Sequence, residues 1–163
     1  MILEIGAGTG LVGERIRKRD KNIVLNCVEM SDFMASHIKA GIYNEIHIAD
    51  FENYFPDVQE YDCVYTTFMM HHSYSIDNVL KKIYNTMQEK AILIAVDLIL
   101  SDMERGKFNN EMHSDVHEYG AGVNYYTKEE FEEGLHSNGF DILEEKLLGR
   151  NVGLAHWMFV ARK

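Results

Sequence analysis

Three glycines stand close together near the start of the chain, in Gly6-Ala7-Gly8-Thr9-Gly10, directly after the apolar run Met1–Ile5. Backbone this bare, in a turn from strand into helix, lets a ligand approach amide N–H groups and the positive end of a helix. The spacing is G-x-G-x-G; Leu11 stands where a dinucleotide fingerprint would place its third glycine. Carboxylates recur around this loop. Glu4 precedes it, Glu29 ends the run "NIVLNCVE" and Asp50 ends "EIHIAD". At the carboxyl edge of a parallel sheet such acids converge on one crevice. There, Glu29 can accept hydrogen bonds from both hydroxyls of a ribose. A single strand-end acid is more often a turn former or a helix cap. Three of them around a glycine loop ask for a ligand.

Histidines and aromatics supply the other chemistry. His71 and His72 follow the run "YDCVYTTFMM" and are candidate general bases, with packing as the plain alternative. His113 and His117 are spaced i, i+4, so on a helix they would face a metal or a substrate together. Two histidines accompanied only by Asp115 and Glu118 are a poor metal signature, and no metal is expected. Residues 101–126 show no sustained period and are too long for an ordinary connection, which marks a functional segment. Phe108, Met112, His113, Tyr119 and Tyr125 within it suit an apolar or planar acceptor, and a partner interface would use the same residues.

The elements that must position these groups alternate. Strand patterns at "MILEI", "NIVLNCVEM", "EIHIAD", "YDCVYTTF", "AILIAVDLIL", "FDILEE" and "AHWMFVARK" are interleaved with helical ones. Leu11, Val12 and Ile16 give one helix an apolar face; Ser31 caps a second that runs to Gly41. Ile76, Val79, Leu80, Ile83 and Met87 form an apolar stripe at helical spacing. Thr127 and Glu130 make a capping box, with Tyr126 and Phe131 as its staple. Alternation of this kind predicts an α/β three-layer sandwich around a mostly parallel, seven-stranded sheet. The link "KLLGRNVG" is too short for a crossover helix, so the last two strands should form an antiparallel hairpin at one edge.

The whole chain of 163 residues reads as one domain. Its net charge of −10, from 26 acidic and 16 basic residues, repels phosphate backbones and disfavours a nucleic-acid partner. The basic run Glu14–Lys21 is a solvated helix end. No apolar run approaches the roughly 20 residues that span a bilayer, so no membrane association is expected. Cys27 and Cys63 lie in apolar runs without CxxC spacing, as buried thiols of a reducing cytoplasm do.

Taken together, "LEIGAGTG", "CVEM", "IADF", "YDCVYTTFMMHH", "YYTKEEFEEGLHSNGF" and "HWMFVARK" resemble successive segments of the class I, Rossmann-like, S-adenosylmethionine-dependent methyltransferases. The resemblance covers essentially the full length. It implies that Gly6, Ala7, Gly8 and Gly10 pass beneath the methionine half and ribose of the cofactor, and that Glu4 helps hold its amino group. It places Glu29 on the ribose, Asp50 on the adenine amine, Met30 and Phe51 on the base faces, and Thr66, Thr67 and Phe68 near the sulfonium. His71, His72 and His117 become the candidate bases. Two departures stand out: the central strand begins at Met1, without the helical cover most members carry, and "MQEKAIL" replaces the usual glycine-rich turn before the fifth strand. The resemblance implies a methyltransferase for a small-molecule acceptor, releasing S-adenosylhomocysteine. Its crevice would be closed by residues 101–126, by a second copy in a homo-oligomer, or by a preceding segment of a longer chain from which this one is truncated. The alternatives are a domain that binds the cofactor or its spent product without methylating, a partner-binding subunit and, from another class, an NAD-dependent oxidoreductase.

Overall fold

The structure is a computed structural model and describes residues 1–56, 60–100, 124–151 and 154–163. In chain order its elements are β1 (Ile2–Ile5), α1 (Leu11–Arg19), β2 (Leu25–Glu29), α2 (Asp32–Ala35), β3 (Glu45–Ile48) and β4 (Tyr61–Thr67). A 3-10 turn (Met70–His72) leads to α3 (Ile76–Thr86) and β5 (Met87–Leu100). The chain ends with β6 (Tyr126–Thr127), α4 (Lys128–Ser137), β7 (Asp141–Asn151) and β8 (Leu154–Arg162).

The strands form one sheet in the order β3-β2-β1-β4-β5-β8-β7, with β6 paired beside β5. All seven expected strands are present; the two-residue β6 is an addition. It pairs in parallel with Ile99 and Leu100, beyond Val96, the last residue of β5 that pairs with β4. From β1 the chain moves outward to β2 and β3, then returns to start β4 on the other side of β1. That reversal opens a crevice at the carboxyl ends of β1 and β4, the place where open α/β sheets bind ligands. The C-terminal hairpin is antiparallel, as expected, and β8 also pairs antiparallel with β5.

Two layers of side chains cover the sheet. On one face Leu3, Ile5, Val64 and Leu93 pack with Val79, Leu80 and Ile83 of α3 and with Phe131 and Leu135 of α4. Each apolar side chain buried this fully contributes about 1.5–3 kcal/mol. On the other face Leu25, Cys27, Tyr43 and Tyr65 meet Val12 and Ile16 of α1. The helix starts follow the sequence. Ser31 accepts from Met34 N–H at 3.2 Å, Ser75 from Asn78 N–H at 3.3 Å, and both bonds of the Thr127–Glu130 capping box are made.

Two expectations need correction. The helix expected from Ser31 to Gly41 is a single turn, Asp32–Ala35. Ser36 Oγ and His37 Nδ1 both bond to the carbonyl of Phe33, at 2.7 and 2.8 Å. Local side-chain bonds of this kind compete with the helical ladder. The hairpin link "KLLGRNVG" is mostly strand, because β7 continues to Asn151 and absorbs its extra residues as register shifts near Ile142 and Leu147. In place of a glycine before the apolar part of β5, Lys90 takes φ 66°, a left-handed conformation. Among the described residues no helix is long and apolar enough to cross a membrane.

Candidate active site

Every strand that meets the crevice delivers a group to it. The loop after β1 turns sharply, with φ of 74°, 56° and 78° at Gly6, Gly8 and Gly10. At Gly6 the space is closed as well, since a Cβ there would stand 2.6 Å from Cγ of Met69. From the end of β2 the Glu29 carboxylate reaches under the loop. One of its oxygens accepts from Gly8 N–H at 2.6 Å and the other from Ser31 N–H at 2.8 Å. Each oxygen retains capacity for a further donor.

Gly6, Gly8, Glu29, Met30, Phe51, Thr67 and Phe68, all expected from the sequence, line one cleft of about 310 Å³ together with Met34, Met69 and His72. Its volume falls at the lower end of the range usual for small-molecule sites. Thioethers and aromatic rings make up much of the wall, a surface that suits the flat face of a heterocycle. Phe68 itself has φ 54° and stands edge-on to His156, with ring centroids 5.5 Å apart.

Other expected residues are placed elsewhere. Ala7 and Thr66 are buried, and Gly10 forms the N-cap of α1. Asp50 closes its own turn, accepting from Glu52 N–H at 2.8 Å and from the Asn53 amide at 2.7 Å. Glu4 lies on the α1 side of the sheet, 1% exposed, and one of its oxygens accepts from the hydroxyls of both Tyr43 and Tyr65. Burial raises its carboxyl to about 7, against the pull of the two phenols; Glu29 adds to the rise. The same enclosure pushes both phenols up, and burial raises the Cys27 thiol to about 12. Phe108, Met112, His113, His117 and Tyr119 lie outside the described residues.

The histidines form a structured end of the site. His71 Nδ1 is 2.6 Å from the Asp97 carboxylate on β5, and both groups are buried. Asp97 also accepts from Met70 N–H and from Leu98 N–H, each at 2.7 Å. Asp97 thus takes a backbone donor on each oxygen, with His71 Nδ1 beside one of them. The rings of His72 and Tyr125 lie 4.1 and 5.7 Å from that of His71. Asp97 was not singled out from the sequence, although a lone acid inside the apolar run "AILIAVDLIL" is a usable signal, because buried Asp is rare unless paired. Met34 and Met69 gave no such signal.

A family model described as a methyltransferase domain matches residues 1–145, and the chain belongs to that family. Its members use S-adenosylmethionine as methyl donor, so this chain is an S-adenosylmethionine-dependent methyltransferase by family. A search of curated proteins finds no match. Among solved structures, the chain resembles an S-adenosylmethionine-dependent methyltransferase from Mesorhizobium loti at TM-score 0.80 and 12% identity, covering 99% of this chain and 90% of that one. It resembles geranyl diphosphate C-methyltransferase from Streptomyces coelicolor A3(2), solved with Mg2+, geranyl diphosphate and S-adenosylhomocysteine, at TM-score 0.79 and 8% identity, covering 99% and 71%. The cyclase SpnF is similar at TM-score 0.78 and 13% identity, covering 99% and 73%. At these identities the likenesses speak for the fold.

The lining described above fits the cofactor. It offers an acid for a ribose diol, apolar side chains for a base, and a glycine turn that keeps side chains out of the way.

Proposed function

We propose that the protein, as a single domain, methylates a small molecule that carries a removable proton. The observation that carries this reading is the joining of two chemistries in one crevice. Glu29 and the glycine loop stand on the β2 and β1 side, and His72, beside the His71–Asp97 pair, stands on the β4 and β5 side. Glu29 would hold the ribose, with Gly6 and Gly8 beneath the ligand and Met30, Met34 and Phe51 against the base. S-adenosylmethionine, when bound, brings a methyl group already activated on a sulfonium, so the protein's task is alignment and exclusion of water. Thr67, Phe68 and Met69 would shape the space in which the acceptor meets that methyl group in line. His72, which lines the cleft against the buried His71–Asp97 pair, would accept the acceptor's proton, with His71 as the ring behind it.

The test uses methyl-labelled S-adenosylmethionine and a fractionated metabolite extract. Label should enter small molecules with the wild-type protein. Glu29→Gln should weaken S-adenosylhomocysteine binding by about 1–3 kcal/mol in calorimetry, because its amide places a donor against a backbone N–H. Binding without any transfer would leave a cofactor-binding domain; no binding would overturn the assignment of the cleft.

A further inference from the structure

Past Phe68 the wall of the cleft continues onto one face of the sheet. Phe68 lines the cleft and is 45% exposed, yet its backbone holds φ 54°. That left-handed region costs a non-glycine residue about 1–3 kcal/mol. Its ring stands edge-on to His156 of β8, with centroids 5.5 Å apart. On β8, Trp157 meets Lys128 of α4 and Phe159 stacks on Phe131 of α4, so His156 and Met158 turn to the opposite face. Paired with them are Leu98 and Val96 of β5, and all four are half-buried. Among the described residues, neither ring nitrogen of His156 has a hydrogen-bond or ionic partner. The residue facing it on β7 is Gly149, where an added Cβ would meet nothing within 4 Å. Lys146 stands opposite Met158 and is therefore the diagonal neighbour of His156. Such neighbours lie roughly 7–8 Å apart, within reach of a long side chain. Lys146 is exposed and also has no partner among the described residues. Glu144 shares this face one step further from the cleft, opposite Val160.

We propose that this face is the far half of the acceptor site and that the acceptor is an apolar carboxylic acid. Its carboxylate is anchored at His156 and Lys146, and it is methylated at an atom remote from that carboxylate. The inference rests on the methyltransferase reading above and names the substrate class for the same crevice. The chemistry divides along the surface. Phe68, Val96, Leu98 and Met158 supply a ring, two branched chains and a thioether, which hold an apolar body and give a charge nothing to bind. Beside them stand an imidazole, which can donate a hydrogen bond, and an ammonium with three donors. Neither finds its partner within the protein, so an anion placed between them gains charge-assisted hydrogen bonds. One lysine balances one negative charge, which favours a carboxylate over a phosphate dianion. The strained turn at Phe68 then has a use: it carries the ring from the cleft to the β8 face, where it joins the two halves of the site.

Isothermal calorimetry first measures S-adenosylhomocysteine; absence of binding overturns the cofactor assignment itself. On protein saturated with it, 2-naphthoate should bind roughly tenfold more tightly than 2-naphthamide, its uncharged counterpart, the usual advantage of a hydrogen bond to a charged group. Lys146→Gln, at an exposed position, and His156→Leu should each erase most of that ratio and leave the S-adenosylhomocysteine constant where it was. Lys146→Gln serves alone if His156→Leu fails to fold. Equal affinity for acid and amide, no binding by either, or an acid preference that survives both substitutions overturns the proposal while the cofactor assignment stands. In the labelling experiment above, the methylated product should partition as an acid and keep its label in mild alkali, which cleaves methyl esters. An alkali-labile label would put the carboxylate at the methyl donor and would also overturn the proposal.

Discussion

At the scale of single residues, the structure turns two acids that look alike in the sequence into different devices. Glu4 and Glu29 both lie at a strand's edge near the loop, but only Glu29 faces the ligand space. What a side chain meets on its face of the sheet is set by tertiary packing, here by Tyr43 and Tyr65 closing over Glu4, and no local pattern announces that partnership. A stability consequence follows from the carboxyl of Glu4 rising from 4.5 to about 7 on folding. A raised folded value means that stability is fully present below about pH 4.5 and is lost as pH rises through about 7. The loss is on the order of 3 kcal/mol. Urea unfolding between pH 4.5 and 8 should show this slope in the wild type, and Glu4→Gln should flatten it. Asp97 gives a second residue-scale expectation. Met70 and Leu98 donate to one of its oxygens each, so the amide of Asp97→Asn must oppose one of them. Single-turnover methylation should fall by roughly a hundredfold. The nitrogen-15 spectrum of His71 should show its tautomer change, and this readout does not depend on turnover.

At the scale of elements, period and punctuation carry most of the information. Of the stripe Ile76, Val79, Leu80, Ile83 and Met87, the first four became the buried face of α3 while Met87 opens β5, and Thr127 with Glu130 became a capping box, because each signal is local. The short α2 and the long β7 were harder to read. In the first, side-chain bonds to Phe33 O compete with the helix; in the second, pairing with β8 carries the strand through residues that read as a link. The turn between β1 and α1 tests how far the glycine signal is structural. Gly6 combines φ 74° with a Cβ position 2.6 Å from Met69 Cγ and 2.8 Å from Met69 Cβ. Gly6→Ala therefore meets both a disfavoured backbone region and an overpacked contact. It should cost about 2–4 kcal/mol in chemical denaturation. Because Met69 lines the cleft, S-adenosylhomocysteine affinity should fall with it. Retention of full stability would mean that the loop relaxes freely and that the glycine is dispensable.

At the scale of the whole molecule, the crevice exists because strand order reverses across β1 and β4, so ligand binding should be felt by the entire sheet. Gly6 follows β1, Glu29 ends β2, and Thr67 ends β4; these strands are hydrogen-bonded neighbours in the centre of the fold. A ligand that spans them bridges elements which must separate on unfolding. It stabilises the native state by RT ln(1 + L/Kd), where L is the free ligand concentration. At one hundred times its dissociation constant, S-adenosylhomocysteine should contribute about 2.7 kcal/mol, a rise in melting temperature of roughly 5–10 °C for a chain of this size. NAD at the same excess over a typical dinucleotide affinity should leave the transition unmoved. Leu11 takes the place of the glycine that the dinucleotide turn requires, and it opens α1 directly after the left-handed Gly10. Differential scanning calorimetry with each ligand separates the cases. A shift with NAD alone would reassign the crevice to a nicotinamide cofactor, and the glycine loop would then have to hold a pyrophosphate.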